Sequence, residues 1–186
     1  MSNKIKLIAI TGTRLSGKDT FFNLLKENNK RFLPVSFADA LKRITKDISL
    51  ALFGKSIKDL TPEQKEIMRP IWIYVGTKAR EININCWVET VTDFIKESVD
   101  SDHYIPVIID MRFKSEFDYF KKIYGDSMLL VNITRDGAPE PTDEEKINGP
   151  EVAKLADFHL AWPTNPDFTL IKPMVLDFYN KFIKTS

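Results

Sequence analysis

A glycine-rich segment between a strand-like run and a helix-like run constrains this chain more than any other feature. Residues 12–18 read Gly-Thr-Arg-Leu-Ser-Gly-Lys and fit the pattern G-x-x-x-x-G-K. An apolar run ending at Ile10 precedes the segment, and helical spacing from Asp19 to Glu27 follows it. Glycines let backbone N–H groups turn toward phosphate oxygens, and the helix start adds the positive end of its dipole. We therefore predict a phosphate-binding loop in which Lys18 reaches the β- and γ-phosphates.

The residue after this lysine departs from the usual pattern, which places a Mg²⁺-binding Ser or Thr there. The chain has Asp19 at this position and Thr20 next. Three alternatives are open. The Asp19 carboxylate takes over metal binding or proton transfer, or Thr20 supplies the metal-binding hydroxyl. In the third, Asp19 is only an acidic residue that suits the start of a helix. The candidate ATP-binding residues are Gly12, Thr13, Arg14, Leu15, Ser16, Gly17, Lys18, Asp19 and Thr20.

Apolar runs alternate with helical patterns along the chain. The runs predict strands over 4–10, 32–37, 104–111, 128–133 and 158–162. The spacing predicts helices over 19–27, 39–53, 61–81 (bent near Pro70), 87–99, 113–124 and 174–183. Strands that are apolar throughout favour a parallel sheet covered on both faces. We expect a three-layer α/β fold with about five parallel strands, as one domain over 1–186.

The composition excludes several classes of function. The 27 Lys and Arg nearly cancel the 26 Asp and Glu, whereas a general nucleic-acid binder is normally strongly basic. A single cysteine, Cys86, cannot form an intrachain disulfide, and two histidines make a His/Cys zinc site implausible. The apolar run Leu7–Ile10 is too short for a membrane span or a signal peptide. We expect a cytoplasmic protein with no nucleic-acid or membrane partner.

Two further segments suggest how the domain is divided. Helices are predicted over about 39–100, between the second and third predicted strands. Residues 135–150 are rich in Asp, Glu, Pro and Gly with almost no core-forming residues, which predicts a mobile lid.

Other proteins with a phosphate loop fit less well. A GTPase needs an N/T-K-x-D motif, and residues 77–80 read Thr-Lys-Ala-Arg without the Asp. The signature of an ABC-type ATPase is also missing. These exclusions leave the small-molecule kinases.

Six short motifs that follow one another along the chain point to a particular family of kinases. They are R-x-S-G-K-D-T at 14–20, S-F-A-D-x-L-K at 36–42, V-G-T-x-x-R at 75–80, C-W-V at 86–88, I-I-D-M-R-F-x-x-E at 108–116 and I-T-R at 133–135. The set resembles the deoxynucleoside monophosphate kinases of tailed bacteriophages over most of residues 5–135. That family also uses the Gly-Lys-Asp loop found here at 17–19.

The resemblance implies a nucleoside-monophosphate-kinase-like P-loop fold and transfer of the γ-phosphoryl of ATP, with Mg²⁺, to a deoxynucleoside 5′-monophosphate. Its partners would be small nucleotides, and a phage-encoded protein would act in the host cytoplasm. A homodimer is possible, because dimers are the commonest small oligomers. The alternatives are another small-metabolite kinase, such as a dephospho-coenzyme A kinase-like protein, and a nucleotide-binding module without turnover.

Three polar residues at predicted strand ends are candidates for catalysis or phosphate binding. Asp110 would orient Mg²⁺-bound water or accept a hydrogen bond from the acceptor, because strand ends beside the loop deliver side chains to the site. Arg112 either holds phosphate or pairs with Glu116. Arg135 follows a buried strand, where an arginine can neutralise charge on the transferred oxygens.

The resemblance implies that the helices over about 39–100 bind the acceptor. Five residues of these helices complete the candidate set. Lys42, Arg69 and Arg80 would supply cations for a dianionic monophosphate, although each is individually typical of a solvated helix surface. Trp87 either stacks on the base or belongs to the core. Asp39 either reads the base or caps the second helix.

Overall fold

The computed structural model describes residues 4–98, 103–164 and 167–184. Its centre is a five-stranded sheet in the order β2-β3-β1-β4-β5, and every neighbouring pair is parallel. The strands are β1 (Leu7–Thr11), β2 (Phe32–Val35), β3 (Ile105–Ile108), β4 (Met128–Arg135) and β5 (Phe158–Trp162). This architecture confirms the predicted three-layer α/β fold with about five parallel strands.

Eight helices are described around the sheet. They are α1 (Lys18–Asn28), α2 (Phe37–Ile44), α3 (Lys46–Phe53), α4 (Pro62–Ile82), α5 (Cys86–Ser98), α6 (Lys114–Tyr124), α7 (Asp143–Ala153) and α8 (Phe168–Tyr179), with a π-helical turn at Asn180–Lys184. Val99, which the helical pattern assigned to α5, lies outside the described residues.

The central strand explains why both faces of the sheet are covered. All five residues of β1 are buried, and successive side chains point to opposite faces. Ile8 and Ile10 pack with α1 and α8, where the Phe21 and Phe178 rings lie 5.3 Å apart. Leu7 and Ala9 belong to the core on the other face, under α2, α5 and α6. No helix in the described part of the chain is long and apolar enough to cross a membrane.

The single helix expected over 39–53 is instead two helices that meet at Thr45. The buried Thr45 hydroxyl donates to the Leu41 carbonyl at 3.0 Å and accepts from Trp72 Nε1 at 3.0 Å. Such back-bonding competes with the helical ladder and bends the chain. Consequently the expected apolar stripe is not a core face: Ile44 is 60% exposed and Leu52 is 55% exposed.

The segment expected to be an irregular lid contains α7. Thr142 accepts from the Glu145 N–H, and the Glu145 carboxylate accepts from the Thr142 N–H, so the two residues form a capping box. This local signal and the buried Val152 compensate for the scarcity of apolar residues. The closing helix also differs from expectation, since α8 begins at Phe168 after an Asp167 cap.

Candidate active site at the carboxyl ends of the strands

The glycine-rich segment forms a tight loop between β1 and α1. A side chain at position 12 would lie 2.7 Å from Ser16 Oγ and even closer to the Ile133 carbonyl oxygen, so only glycine fits there. Lys18 is the first residue of α1, and its ammonium donates to the carbonyl oxygens of Gly12 and Thr13, each at 2.7 Å. Burial lowers the pKa of Lys18, and the nearby Arg112 charge lowers it further.

Three buried polar atoms near this loop have no hydrogen-bond partner among the described residues. They are Ser16 Oγ, Trp162 Nε1 and Arg135 Nε. The Trp162 indole packs on Gly17, and Trp162 and Arg135 are register partners at the ends of β5 and β4. Buried donors are normally satisfied. A group of three unsatisfied ones beside the loop fits a site that takes an anionic ligand.

The two carboxylates expected at the site have different surroundings. Asp110 follows β3 and accepts from Ser36 Oγ at 2.8 Å and from the N–H groups of Phe37 and Ala38, each at 3.0 Å. It therefore holds the start of α2. The exposed Asp19 carboxylate accepts no hydrogen bond from any described residue, and Thr20 is half-buried beside it on α1.

A cavity of about 250 Å³, here called the acceptor pocket, opens beside Asp110. Three arginines from two elements line it: Arg69 and Arg80 from α4, and Arg112 from the loop after β3. Aromatic rings form much of the remaining wall, namely Phe37, Trp72 and Trp87. The pocket thus combines cations with flat apolar surfaces.

Each of these arginines is held by a carboxylate or an aromatic ring. Arg69 makes a bidentate pair with Glu66, with N–O distances of 2.9 and 2.8 Å. The Arg80 guanidinium lies 4.4 Å from the centre of the Phe113 ring and 3.5 Å from Glu116.

Of the two roles considered for Arg112, the side-chain pair with Glu116 is not formed. Arg112 instead pairs with Glu144 of α7 at 3.3 Å. Glu116 accepts from the backbone N–H groups of Arg112 and Phe113, at 2.9 and 3.1 Å. Burial raises the pKa of Glu116 to about 7, although these N–H donors and Arg80 oppose the rise.

The other expected acceptor-binding residues do not all face this pocket. Trp87 is 4% exposed, and its Nε1 donates to the Gly76 carbonyl at 3.2 Å, so it belongs to the core and presents only part of its ring. Asp39 pairs with Lys42 at 3.2 Å, and both line a different cavity. The N-cap of α2 is Ser36, so Asp39 does not cap the helix.

Helix α7 lies over the phosphate loop in the segment predicted as a lid, although no helix is predicted there from the sequence. The Glu145 carboxylate accepts from the Arg14 N–H of the phosphate loop at 2.8 Å. A cavity of about 350 Å³ lies between the loop, the ends of β1 and β4, and α7. Arg112 and Glu144 line both this cavity and the acceptor pocket. The Thr-x-x-Glu capping signature at 142–145 could have revealed the helix, but nothing local indicates its contact with the loop.

The described residues include no group of three His, Cys, Asp or Glu side chains placed to hold a metal ion. Mg²⁺ is commonly bound by one or two protein oxygens together with substrate phosphates and water. Asp19 and Thr20 carry the oxygens that fit such a role, because both lie in the first turn after Lys18.

Comparison with known proteins places this geometry in context. A family model described as phosphomevalonate kinase matches residues 10–126, a range that includes the loop, the helices around the acceptor pocket, and Asp110. No curated protein matches the sequence of the chain. The motifs resemble phage deoxynucleoside monophosphate kinases, whereas the family match is to phosphomevalonate kinase.

Solved structures share the fold. A dephospho-CoA kinase from Campylobacter jejuni superimposes with a TM-score of 0.56 at 16% identity, covering 97% of this chain and 98% of that chain. A protein from Thermus thermophilus gives a TM-score of 0.54 at 14% identity, with 96% and 97% covered. At these identities the likeness establishes the architecture alone.

Proposed function

Since this chain belongs to the phosphomevalonate kinase family of P-loop kinases, we propose that it transfers the γ-phosphoryl group of ATP to the phosphate of a small phosphomonoester, and specifically of a deoxynucleoside 5′-monophosphate. The observation that carries the proposal is the acceptor pocket, in which Arg69, Arg80 and Arg112 converge beside aromatic walls.

On the donor side, the loop would hold the phosphates of ATP with its backbone N–H groups. Lys18 now donates to two loop carbonyls, and its ammonium would turn to the β- and γ-phosphates once ATP is bound. Arg135, whose Nε lacks a partner in the described part of the chain, would add positive charge as the transferred group becomes more anionic. Catalysis then consists of positioning and electrostatic stabilisation.

Mg²⁺, held by ATP phosphates with Asp19 or Thr20, would neutralise the charge that develops on the transferred group. On the donor side the protein itself would contribute the carboxylate of Asp19. This carboxylate accepts no hydrogen bond from a described residue. It is therefore free to turn toward a metal-bound water or toward the acceptor oxygen. Asp110 has a positioning role, since its bonds to the start of α2 fix one wall of the acceptor pocket.

On the acceptor side, a monophosphate dianion needs cations, and the planar guanidinium groups of Arg80 and Arg112 suit two of its oxygens at a time. The rings of Phe37 and Trp72 would contact the faces of a nucleobase. These flat walls favour a planar base over an aliphatic hydroxy acid.

The family match supports phosphomevalonate as a second candidate acceptor. Phosphomevalonate also ends in a phosphate monoester, so the three arginines would serve it equally well. Its aliphatic part carries a carboxylate and would leave the aromatic walls of the pocket without a matching planar group.

ATP binding would displace Glu145 from the phosphate loop. The Arg14 N–H that this carboxylate occupies is one of the donors that the loop would offer to a phosphate oxygen. Helix α7 would therefore move when the donor enters and return to cover the reacting groups, as lids do in phosphoryl transfer.

The test is a coupled ADP-release assay with the purified full chain. The acceptors are the four common deoxynucleoside monophosphates, their ribose counterparts, phosphomevalonate and dephospho-coenzyme A. We expect turnover with one or more deoxynucleotides and weak turnover with phosphomevalonate. The opposite order would assign the second candidate.

A matched variant links turnover to the acceptor pocket. Arg80→Gln keeps most of the side-chain length and removes the charge beside Glu116. It should raise the acceptor KM at least about tenfold, consistent with loss of one charge-assisted contact of roughly 1.5–3 kcal/mol, while the KM for ATP changes little. ATP binding without turnover on any acceptor would indicate the nucleotide-binding module instead.

A further inference from the structure

A cavity of about 700 Å³, here called the cationic cavity, lies against α2 next to the acceptor pocket. Phe37, Ala38 and Leu41 of α2 line the acceptor pocket, whereas Asp39 and Lys42 line the cationic cavity. On average the two sets point about a third of a helical turn apart at 3.6 residues per turn, so the two cavities lie against neighbouring faces of α2.

The charged side chains that line this cavity are almost all positive. Its six cations come from α2, α3, α4 and the segment between α3 and α4, and its one acid is Asp39. The cations are Lys42, Arg43, Lys46, Lys58, Lys65 and Arg69. The whole chain has a formal charge of +1, so this concentration does not reflect a generally basic protein.

Three of these six cations have no partner in the described part of the chain. Lys42 pairs with Asp39, Arg69 pairs with Glu66, and Arg43 lies 4.7 Å from the centre of the Phe94 ring. The ammonium groups of the remaining three, Lys46, Lys58 and Lys65, make no ion pair or hydrogen bond with any described residue. Like charges gathered around one concave space repel each other and raise the local concentration of anions.

The walls of the cavity also offer flat apolar surface. Trp72 and Phe94 both line it, and the Trp72 ring is fixed by the hydrogen bond from its Nε1 to Thr45. A ring held in this way can stack on a planar group without loss of its own rotational freedom.

We propose that the cationic cavity is a second anion-binding site, distinct from the phosphate loop, which binds a chain of linked phosphates carried by a nucleoside triphosphate or by inorganic polyphosphate. Three unpaired ammonium groups match an extended polyanion better than a single phosphate. Trp72 supplies a surface for the base if the ligand is a nucleotide.

Occupancy of this site would affect the acceptor pocket. Arg69 and Trp72 line both spaces, so a polyphosphate that draws the Arg69 guanidinium toward the cationic cavity withdraws it from the acceptor. The ligand would thus raise the acceptor KM, which makes the site regulatory.

The test maps lysine reactivity in the full-length protein and needs no turnover. Amine acylation followed by mass spectrometry is carried out with and without inorganic tripolyphosphate, and in parallel with ATP. At a ligand concentration about ten times Kd, the labelling rates of Lys46, Lys58 and Lys65 should fall about tenfold by mass action. The exposed Lys30 is the internal control and should label at an unchanged rate.

The two probes distinguish the sources of the phosphate chain. Protection by ATP at a lower concentration than tripolyphosphate assigns a nucleotide, whereas equal protection assigns the phosphate chain alone. Loss of protection in Lys46→Gln/Lys58→Gln, read at Lys65, should accompany retained folding by circular dichroism. Unchanged labelling of all three lysines at saturating concentrations of both probes would overturn the proposal.

Discussion

The contact between Gly17 and Trp162 gives a direct test of how the phosphate loop is held. Gly17 has a φ of +97°, and a Cβ built on it would lie 2.7 Å from Trp162 Cδ1 and closer still to Nε1. Trp162 is only 2% exposed and belongs to the core under α1 and α8. The ring therefore has no free space into which it can withdraw.

Gly17→Ala should lower the free energy of unfolding through two separate effects. An L-residue in the left-handed region costs about 1–2 kcal/mol. Overpacking against the fixed indole adds about 1–3 kcal/mol, so the total is about 2–5 kcal/mol. Gly54→Ala is the matched control: its φ is +62°, and nothing lies within 4 Å of the added carbon, so only the backbone cost applies.

The measurement is urea denaturation followed by tryptophan fluorescence and by circular dichroism. Gly17→Ala should lose at least about 1 kcal/mol more than Gly54→Ala, which is the lower bound of the overpacking cost. It should also shift the native-state fluorescence, because the indole of Trp162 is the group displaced. Equal losses in the two variants, with an unchanged spectrum, would refute the close packing of the loop on Trp162.

Three further predictions concern single charged groups. Lys18→Ala should lower kcat by about 10²–10³-fold with a smaller loss of ATP affinity, measured by steady-state kinetics, and turnover within about threefold of the parent would contradict a catalytic role. Asp19→Asn should lower turnover at least about tenfold with little change in Tm, since its interaction with the helix dipole is worth only ~0.3–1 kcal/mol. Its control is Thr20→Val, and the reverse pattern of activities would move the metal-side role to Thr20. Burial raises the pKa of Glu116 from 4.5 to about 7, so the folded protein binds this proton more tightly than the unfolded chain does. Stability should therefore fall by about 3 kcal/mol as pH rises from about 4.5 through 7. Glu116→Gln should flatten that profile in denaturation experiments at about pH 5 and about pH 8, and a parent profile that is already flat would exclude the raised pKa.

The fold could be predicted from sequence where local signals and burial agree. The apolar run before the loop indicates a strand throughout, and the spacing after the loop indicates a helix throughout. Both elements are present, as β1 and α1. The break between α2 and α3 could not be foreseen, because the helical spacing continues across it. Its cause is the tertiary contact between Thr45 and Trp72, which are 27 residues apart.

The same distinction between local and tertiary signals applies to the candidate site. The position of Asp110 at the end of a strand follows from the sequence, but its three donors lie more than 70 residues away in the chain. Sequence alone therefore could not distinguish a carboxylate that faces substrate from one that holds the start of α2. The free carboxylate of Asp19 and the pair between Asp39 and Lys42 became visible only from side-chain positions.

Helix α7 shows how a segment with few apolar residues still becomes ordered. Helix α7 contains one buried hydrophobic residue, Val152, and three acids in its first turn. Two of those acids contact the cations and donors of the site: Glu144 pairs with Arg112, and Glu145 accepts from the Arg14 N–H. The groups that would bind phosphates under the proposed function thus also hold α7, so a phosphate-bearing ligand would compete with α7 for the same donors. Movement of α7 and binding of substrate would then be coupled by this exchange of carboxylate for phosphate, which requires no additional hinge signal in the sequence.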